Sequence, residues 1–358
     1  MSLSMSKPYR LWPAWYRGDF HAHTNHSDGS LKPTELLAEA RTKQLDFFSI
    51  TDHNVLTAYD QFGEHEDVLI IPGVEVTMRY GHFNVFGLSG ATPAWIDGLP
   101  HTREDYEHHM RTGEAQYTPN ELMRLTRSQG LYNSINHPLL GVWTWIDSET
   151  DLRLVDFLEI WNDPSWPGNQ TGNPNAVALW TKWLNAGHRI TAIGGTDFHH
   201  ARPKHEKNGS IVPRDHLNQP TTYVYANNLS GDAIMAGLKA RHAYMSMGPQ
   251  LSFGATLGEQ TFMVGDDMQS ADGKVKFQAA AQGEGMLTMQ LVCNGDVIAE
   301  AAGNGSIQLW VEIGVSAEIS QWFRIDVRDA SGQYVAVSNP IFSGPPITPT
   351  QNRFGDFV

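Results

Sequence analysis

Up to about residue 247, short apolar runs alternate with segments that repeat apolar residues every three or four positions. The runs read as strands: Arg17–His21, Asp46–Thr51, Val68–Val76, His82–Leu88, Leu131–Asn136, Phe157–Trp161 and Ile190–Gly194. The segments between them read as helices. Pro33–Lys43 opens with a proline suited to a first turn and carries Leu36, Leu37 and Ala40 as a stripe. Residues 103–129 carry helical patterns with many charges, and Asn175–Ala186 is a further helix. Strands alternating with helices predict a parallel sheet.

Beyond Gly248-Pro249 the texture changes. Short alternating segments, Lys274-Val-Lys-Phe-Gln, Thr288-Met-Gln-Leu-Val, Gln308-Leu-Trp-Val-Glu and Trp322-Phe-Arg-Ile-Asp-Val, are separated by Gly, Asp and Asn turns. They predict a small β-sandwich over residues 248–345, followed by a loose tail at residues 346–358. No catalytic constellation shows in this part.

The polar residues of the first part are not scattered. His21 and His23 stand two apart, so on a strand both rings point to one face and make half of a metal site. Taken alone, such a pair is more often an ordinary surface or core pair. The same position recurs, however. Asp28, His53, Glu75, His82, His137, Asp197 and His199 each fall at or just after a predicted strand. All offer nitrogen or oxygen ligands suited to zinc, manganese or iron. Ligands at the C-terminal ends of many strands predict a barrel with its site on that face.

Composition narrows the picture. The 358 residues are 41% apolar and 18% charged, as in an ordered globular protein, and two domains are expected. The net charge of −14 argues against a nucleic-acid-binding surface. No apolar run is long enough to span a membrane. Met1–Ser6 lacks the apolar stretch of a signal peptide, and Met-Ser-Leu-Ser-Met reads as an added start. A cytoplasmic location is expected for the chain as given, a removed signal peptide being compatible with it. Cys293, the one cysteine, excludes disulfides within the chain and reads as a core residue.

In order, Asp-Phe-His-Ala-His-Thr-Asn-His-Ser-Asp-Gly (19–29), Ile-Thr-Asp-His-Asn (50–54), Pro-Gly-Val-Glu-Val-Thr (72–77), Gly-His-Phe-Asn (81–84), Asn-His-Pro (136–138) and Gly-Gly-Thr-Asp-Phe-His (194–199) resemble the PHP (polymerase and histidinol phosphatase) superfamily of metal-dependent hydrolases. The resemblance covers about residues 15–245. It implies a distorted (β/α)7 barrel with two or three divalent ions of Zn, Mn or Fe. By position, one ion takes His21, His23, Glu75 and Asp197. A second takes Glu75 as a bridge, His82 and His137. A third takes Asp28, His53 and His199. Asn294-Gly295 and Ser338-Asn-Pro-Ile resemble the tail of the carbaryl-hydrolase-like branch.

Glu75 and Asp197 are the expected catalytic carboxylates. His26, between ligands, is a candidate proton donor, although an exposed loop histidine is the more ordinary reading. Asp19 and Asp52 are candidates for orienting histidines. Trp143, Trp145, Trp161 and Trp166 flank strand ends, where they can wall a pocket or simply pack. Arg79, Arg202 and Lys204 are candidate anion contacts. His101, His108 and His109 read as a solvated face. The expected activity is phosphoester hydrolysis by a metal-bound hydroxide, on a small-molecule substrate. Hydrolysis of a carboxylic or carbamate ester is the alternative, and a non-catalytic binding domain is the second one. An oligomer through the C-terminal domain is compatible with the pattern.

Overall fold

The computed structural model describes residues 4–62, 65–89, 92–205, 211–212, 215–269 and 272–358. Strands β1 (Ala14–Asp19), β2 (Phe47–Ile50) and β3 (Leu69–Met78) are parallel neighbours. β4 (Gly81–Phe86) returns antiparallel to β3, and β5 (Tyr132–Ile135) pairs antiparallel with β4. β6 (Phe157–Trp161) and β7 (Thr191–Gly194) continue in parallel with β5. A short ribbon joins β8 (Lys204–His205) to β9 (Ile211–Val212). β10 (Thr221–Ala226) lies antiparallel on the free side of β1, and β11 (Ala243–Ser246) lies antiparallel to β10.

The two ends of this row meet. Thr222 Oγ1 accepts from the Gly194 amide at 2.9 Å and donates to its carbonyl at 2.8 Å. Just past β1 and β7, His23 N donates to Phe198 O at 2.9 Å. Regular sevenfold βα alternation is not what results. β4 and β10 run against the parallel strands, and no α-helix is described between β2 and β3 or between β5 and β6. An antiparallel return needs only a tight turn, whereas a parallel one needs a crossover. The β3–β4 turn uses Gly81 at φ +117°, where a Cβ would also sit 3.0 Å from the Trp145 backbone.

Among the described residues, five helices pack outside: α1 (Pro33–Thr42), α2 (Arg103–Thr112), α3 (Pro119–Ser128), α4 (Asn169–Asn185) and α5 (Gly231–Lys239). The α1 stripe of Leu36, Leu37 and Ala40 is buried, as its period requires. α3 starts at a capping box, in which Thr118 and Glu121 exchange side-chain to backbone bonds. α4 begins at Asn169 rather than Asn175 and carries Pro174 inside. None of the helices described is long and apolar enough to cross a membrane.

The C-terminal part is an antiparallel β module: β12 (Gln250–Leu257), β13 (Gln260–Met263), β14 (Gly273–Cys293), β15 (Asp296–Val315), β16 (Gln321–Asp329), β17 (Tyr334–Ser338) and β18 (Ile341–Ser343). Two of the short segments read from sequence, at 274–278 and 288–292, are one strand, β14. Asn294 and Gly295, both at positive φ, turn it back into β15. The register shifts between Gln282 and Met286, around two glycines. The first half of β14 then pairs with β12 and the second with β16. One hairpin thus serves two layers, which meet where the Phe277 and Phe323 rings lie 4.5 Å apart.

This module is bonded into the barrel. β17 pairs with β11. Asn339 is fully buried; its Oδ1 accepts from Ala192 N at 2.8 Å, and its Nδ2 donates to Ala192 O at 2.9 Å and Ala243 O at 3.0 Å. The side chain behaves as an extra peptide unit on the edge of β7. Arg324, also buried, holds Asp326 with two bonds and donates to Thr181 Oγ1 on α4 at 2.8 Å.

Residues 346–358 are docked rather than loose. Phe354 is fully buried against Trp183, with rings 5.9 Å apart. Lys182 Nζ donates to Phe357 O at 2.8 Å, and His188 Nε2 lies 2.7 Å from Gln351 O. Two phenylalanines in a polar stretch were the only signal, and their partner α4 lies far away in sequence. The Phe354 and Phe357 amides, bonded to Thr150 O and Phe354 O, are expected to exchange hydrogen slowly. Free-terminus exchange rates by mass spectrometry would show the tail to be undocked.

Candidate metal centre

The ends of β1, β2, β3, β5 and β7, with the start of antiparallel β4, bring nine side chains to one end of the barrel. Among the described residues three groups of ligand atoms result, each within 4.8 Å: His21, His23, Glu75 and Asp197; His23, Asp28, His53 and His199; and His53, Glu75 and His82. Glu75 is the centre. Its Oε1 lies 3.2 Å from His21 Nε2, 3.2 Å from His82 Nδ1 and 3.4 Å from His137 Nε2. Its Oε2 lies 3.3 Å from His23 Nε2 and 3.0 Å from His53 Nδ1. Asp197 Oδ1 reaches His21 Nε2 at 3.1 Å and His23 Nε2 at 3.0 Å. Asp28 sits between His199 Nε2, at 3.2 Å, and His53 Nε2, at 3.6 Å.

This grouping differs from the expected one in three places. His23 belongs to two groups. His53 joins Glu75 and His82 as well as Asp28. His137 touches Glu75 but stands outside the three groups.

The backbone is bent to suit. Asp197 and His137 adopt positive φ, +51° and +27°. Such angles are sparsely populated and cluster at functional sites. Asn136, beside His137, donates from Nδ2 to Glu75 Oε1 at 2.8 Å.

The donor set fits dications. His21 is fully buried, and its Nε2 has no hydrogen-bond partner although it faces two carboxylates. Its Nδ1 is 2.9 Å from Glu159 Oε1, which keeps a proton there and leaves Nε2, facing Glu75 and Asp197, to carry either a second proton or a cation. Lone pair facing carboxylate is repulsive unless a cation lies between. Burial opposes charge on His21, but Asp197, Glu75 and Glu159 outweigh it and raise its pKa well above normal, so the metal-free ring holds a proton on Nε2 in the place a dication would take. Burial and the neighbours His199 and His53 push His23 down to about 4, which leaves the neutral ring that metal binding requires. Burial works to raise the Glu75 pKa, yet His21, His82 and His53 hold it well below the usual range.

Glu159, in the middle of β6, escaped the sequence reading. It is buried, accepts from His137 N at 2.8 Å and Asn162 Nδ2 at 3.0 Å, and fixes the His21 tautomer. A lone acid in the apolar run Phe-Leu-Glu-Ile-Trp was the available signal. Glu159→Gln is expected to weaken metal binding about 10–100-fold, the usual effect of losing a partner that orients a ligand. Titration of metal-free protein with zinc measures it; an unchanged affinity would remove Glu159 from this role.

Other sequence candidates fall differently. Asp19 and Asp52 bond no histidine ring. Asp19 accepts from Thr196 N at 3.0 Å and His21 N at 3.1 Å, tying β1 to β7, and burial pushes it up to about 6. Asp52 accepts from Thr24 N, Thr24 Oγ1 and Ser27 Oγ at 2.6–2.7 Å, shaping the loop. His26 is half-buried, with Nδ1 2.7 Å from Thr57 Oγ1, and stands outside the three groups.

Trp145 and Trp161 are core residues, not pocket walls. Trp145 donates to Thr150 Oγ1 at 3.0 Å and stacks edge-on with Phe83. Trp143 and Trp166 are partly exposed, and the Trp143 ring lies 5.5 Å from that of His82. Arg79, one residue past the end of β3, lies over Tyr80 and beside Gly113 at the end of α2. Arg202 is exposed just after His199 and His200, and the Lys204 side chain lies outside the described residues. His108 pairs with Glu114 on the solvated α2 face.

Residues 19–146 match the PHP domain family. Over 93 residues the chain is 31% identical to a 3',5'-nucleoside bisphosphate phosphatase of Chromobacterium violaceum, covering 24% of this chain and 33% of that protein. Over 73 residues it is 37% identical to an uncharacterized protein of Methanocaldococcus jannaschii, covering 17% of this chain and 34% of that one. The chain thus spans about a third of the length of these curated relatives. Among solved structures, a two-domain protein containing a predicted PHP-like metal-dependent phosphoesterase from Bacteroides vulgatus is 18% identical with a TM-score of 0.48, over 92% of this chain and 95% of that one. An amidohydrolase from Chromobacterium violaceum with bound sulfate is 17% identical with a TM-score of 0.36, over 55% of this chain and 93% of that one.

Proposed function

We propose that this protein is a metal-dependent phosphoesterase acting on a small-molecule phosphoester, with two or three divalent ions of zinc, manganese or iron. The observation that carries the proposal is the buried Glu75 carboxylate ringed by five imidazoles, with His21 Nε2 aimed at it and unpartnered. Similarity to the bisphosphate phosphatase over 93 residues supports phosphate as the electrophile. All proposed ligands precede residue 200, so residues 1–247 are proposed to hold the chemistry and the β module to brace it. The Asn294-Gly295 turn and Ser338-Asn-Pro-Ile support a place in the carbaryl-hydrolase-like branch.

Bound dications supply Lewis acidity toward a phosphoryl oxygen and lower the pKa of water at neutral pH. The chain's own residues do the rest. Glu159 and Asn136 hold His21 and Glu75 in place. Asp28, His53 and His199, partly exposed, line the open side where substrate enters. His26 is proposed as proton donor to the leaving group, and Arg202 as a phosphate contact.

A panel of phosphomonoesters, carboxylic esters and carbamates, run on one metal-loaded sample before and after chelation, tests the reading. Phosphoester turnover that chelation abolishes is expected. Turnover of the carboxylic or carbamate esters alone would transfer the same centre to that substrate class, and turnover surviving exhaustive chelation would refute metal dependence.

A further inference from the structure

The centre is closed on one side and open on the other. His21, His23 and Glu75 are fully buried, whereas Asp28 is 56% exposed and His53 and His199 about a fifth exposed. From the open side a row of rings runs through buried His82 to Trp143. His199 and His53 are 6.2 Å apart, His53 and His82 5.3 Å, and His82 and Trp143 5.5 Å. Trp143 is the one member of this row that binds no metal in the proposed centre. It remains 42% exposed, between Val142 at 90% and the nearby Ile146 at 65%.

The loop that displays these side chains is tightly held. Trp143 N donates to Leu140 O at 2.8 Å, Trp145 N to Pro138 O at 3.0 Å, and Ile146 N to Tyr80 O at 2.8 Å. Buried Trp145 anchors the loop from below. Residues 141–146, Gly-Val-Trp-Thr-Trp-Ile, contain no cation, and the next residue is Asp147. Arg79, the nearby arginine, is drawn off to the end of α2. Keeping three large apolar side chains in water costs solvation free energy that a covering ligand recovers.

We propose that Val142, Trp143 and Ile146 form the leaving-group subsite, and that the substrate is a phosphomonoester of an uncharged aromatic alcohol. This rests on the phosphoesterase reading above. With the phosphoryl group at the ligand cluster, the ester oxygen directs the leaving group along the ring row, and a flat ring stacks on the Trp143 indole. Residues 141–147 offer a second phosphate no cation, and their one charge, Asp147, is negative, so nucleoside bisphosphates are disfavoured.

The test compares 1-naphthyl phosphate with glycerol phosphate in wild type and Trp143→Ala, with metal content measured in both. Comparing the variant with wild type on each substrate cancels the different intrinsic reactivity of the two leaving groups. The expected result is a loss of about tenfold in kcat/KM for naphthyl phosphate, with glycerol phosphate within about twofold. Binding of the non-hydrolysable 1-naphthylphosphonate should weaken by a similar factor, and that of methylphosphonate should not change. Equal loss on both substrates, no loss on either, or wild-type preference for a nucleoside bisphosphate would overturn the subsite. A changed oligomeric state in the variant would overturn it too, by showing that a second copy covers the ledge. Hydrolysis of neither phosphate by the metal-loaded wild type would overturn the phosphoesterase reading itself, and this inference with it.

Discussion

Glu75→Gln is expected to lose both metal and turnover. The substitution keeps size and shape but removes the one negative charge that five imidazoles share. It also places an amide N–H₂ against a ring nitrogen of either the His21 or the His23 side, where a lone pair is needed. Two dications a few ångströms apart repel strongly in a buried site unless an anion lies between them. Activity should fall about 100-fold or more, since even loss of a supporting partner costs 10–100-fold in metal affinity. Metal analysis beside the hydrolysis rate decides it. His26→Gln is the control: it should retain metal, because His26 stands outside the ligand groups. A Glu75→Gln protein with full metal and full activity would end the bridging assignment.

The second large effect is expected far from the centre. Asn339→Ala removes three buried hydrogen bonds and leaves the Ala192 amide and carbonyl on β7 without those partners. At roughly 1 kcal/mol for each bond, plus the cost of the stranded amide, the loss should be about 3–4 kcal/mol. Because the module braces β7, one cooperative transition is expected, with a lowered midpoint and an unchanged denaturant slope. Two separate transitions would mean that barrel and β module unfold independently. Turnover by the folded fraction at low temperature should persist, since no proposed ligand is touched.

These two residues differ in how far the sequence announces them. Glu75 closes the run Leu-Ile-Ile-Pro-Gly-Val, and a charge there has little reason to exist without a partner. His21, His23, Asp28, His53, His82, His137, Asp197 and His199 carry the same signature, and all nine stand at one end of the barrel. Strand period and polar strand ends are local properties, so they survive in one dimension. The run of strands after Gly248-Pro249 and the Asn294-Gly295 turn were legible for the same reason.

What local pattern cannot encode is the partner that arrives from elsewhere. Glu159 gains its role only because β6 lies across from His21, 138 residues away. Trp143 and Trp145 are two apart in one loop, yet one is displayed and the other buried, because Trp145 meets Phe83 and Thr150 while Trp143 lies over His82. Arg79 follows a ligand strand but turns toward α2. The tail 346–358 looks polar and free until Trp183 supplies a surface for Phe354. The chain alone determined which residues are chemically equipped and which strand ends carry them. Folding decided which of them meet, because burial, tautomer and exposure are set by contacts between segments far apart in sequence.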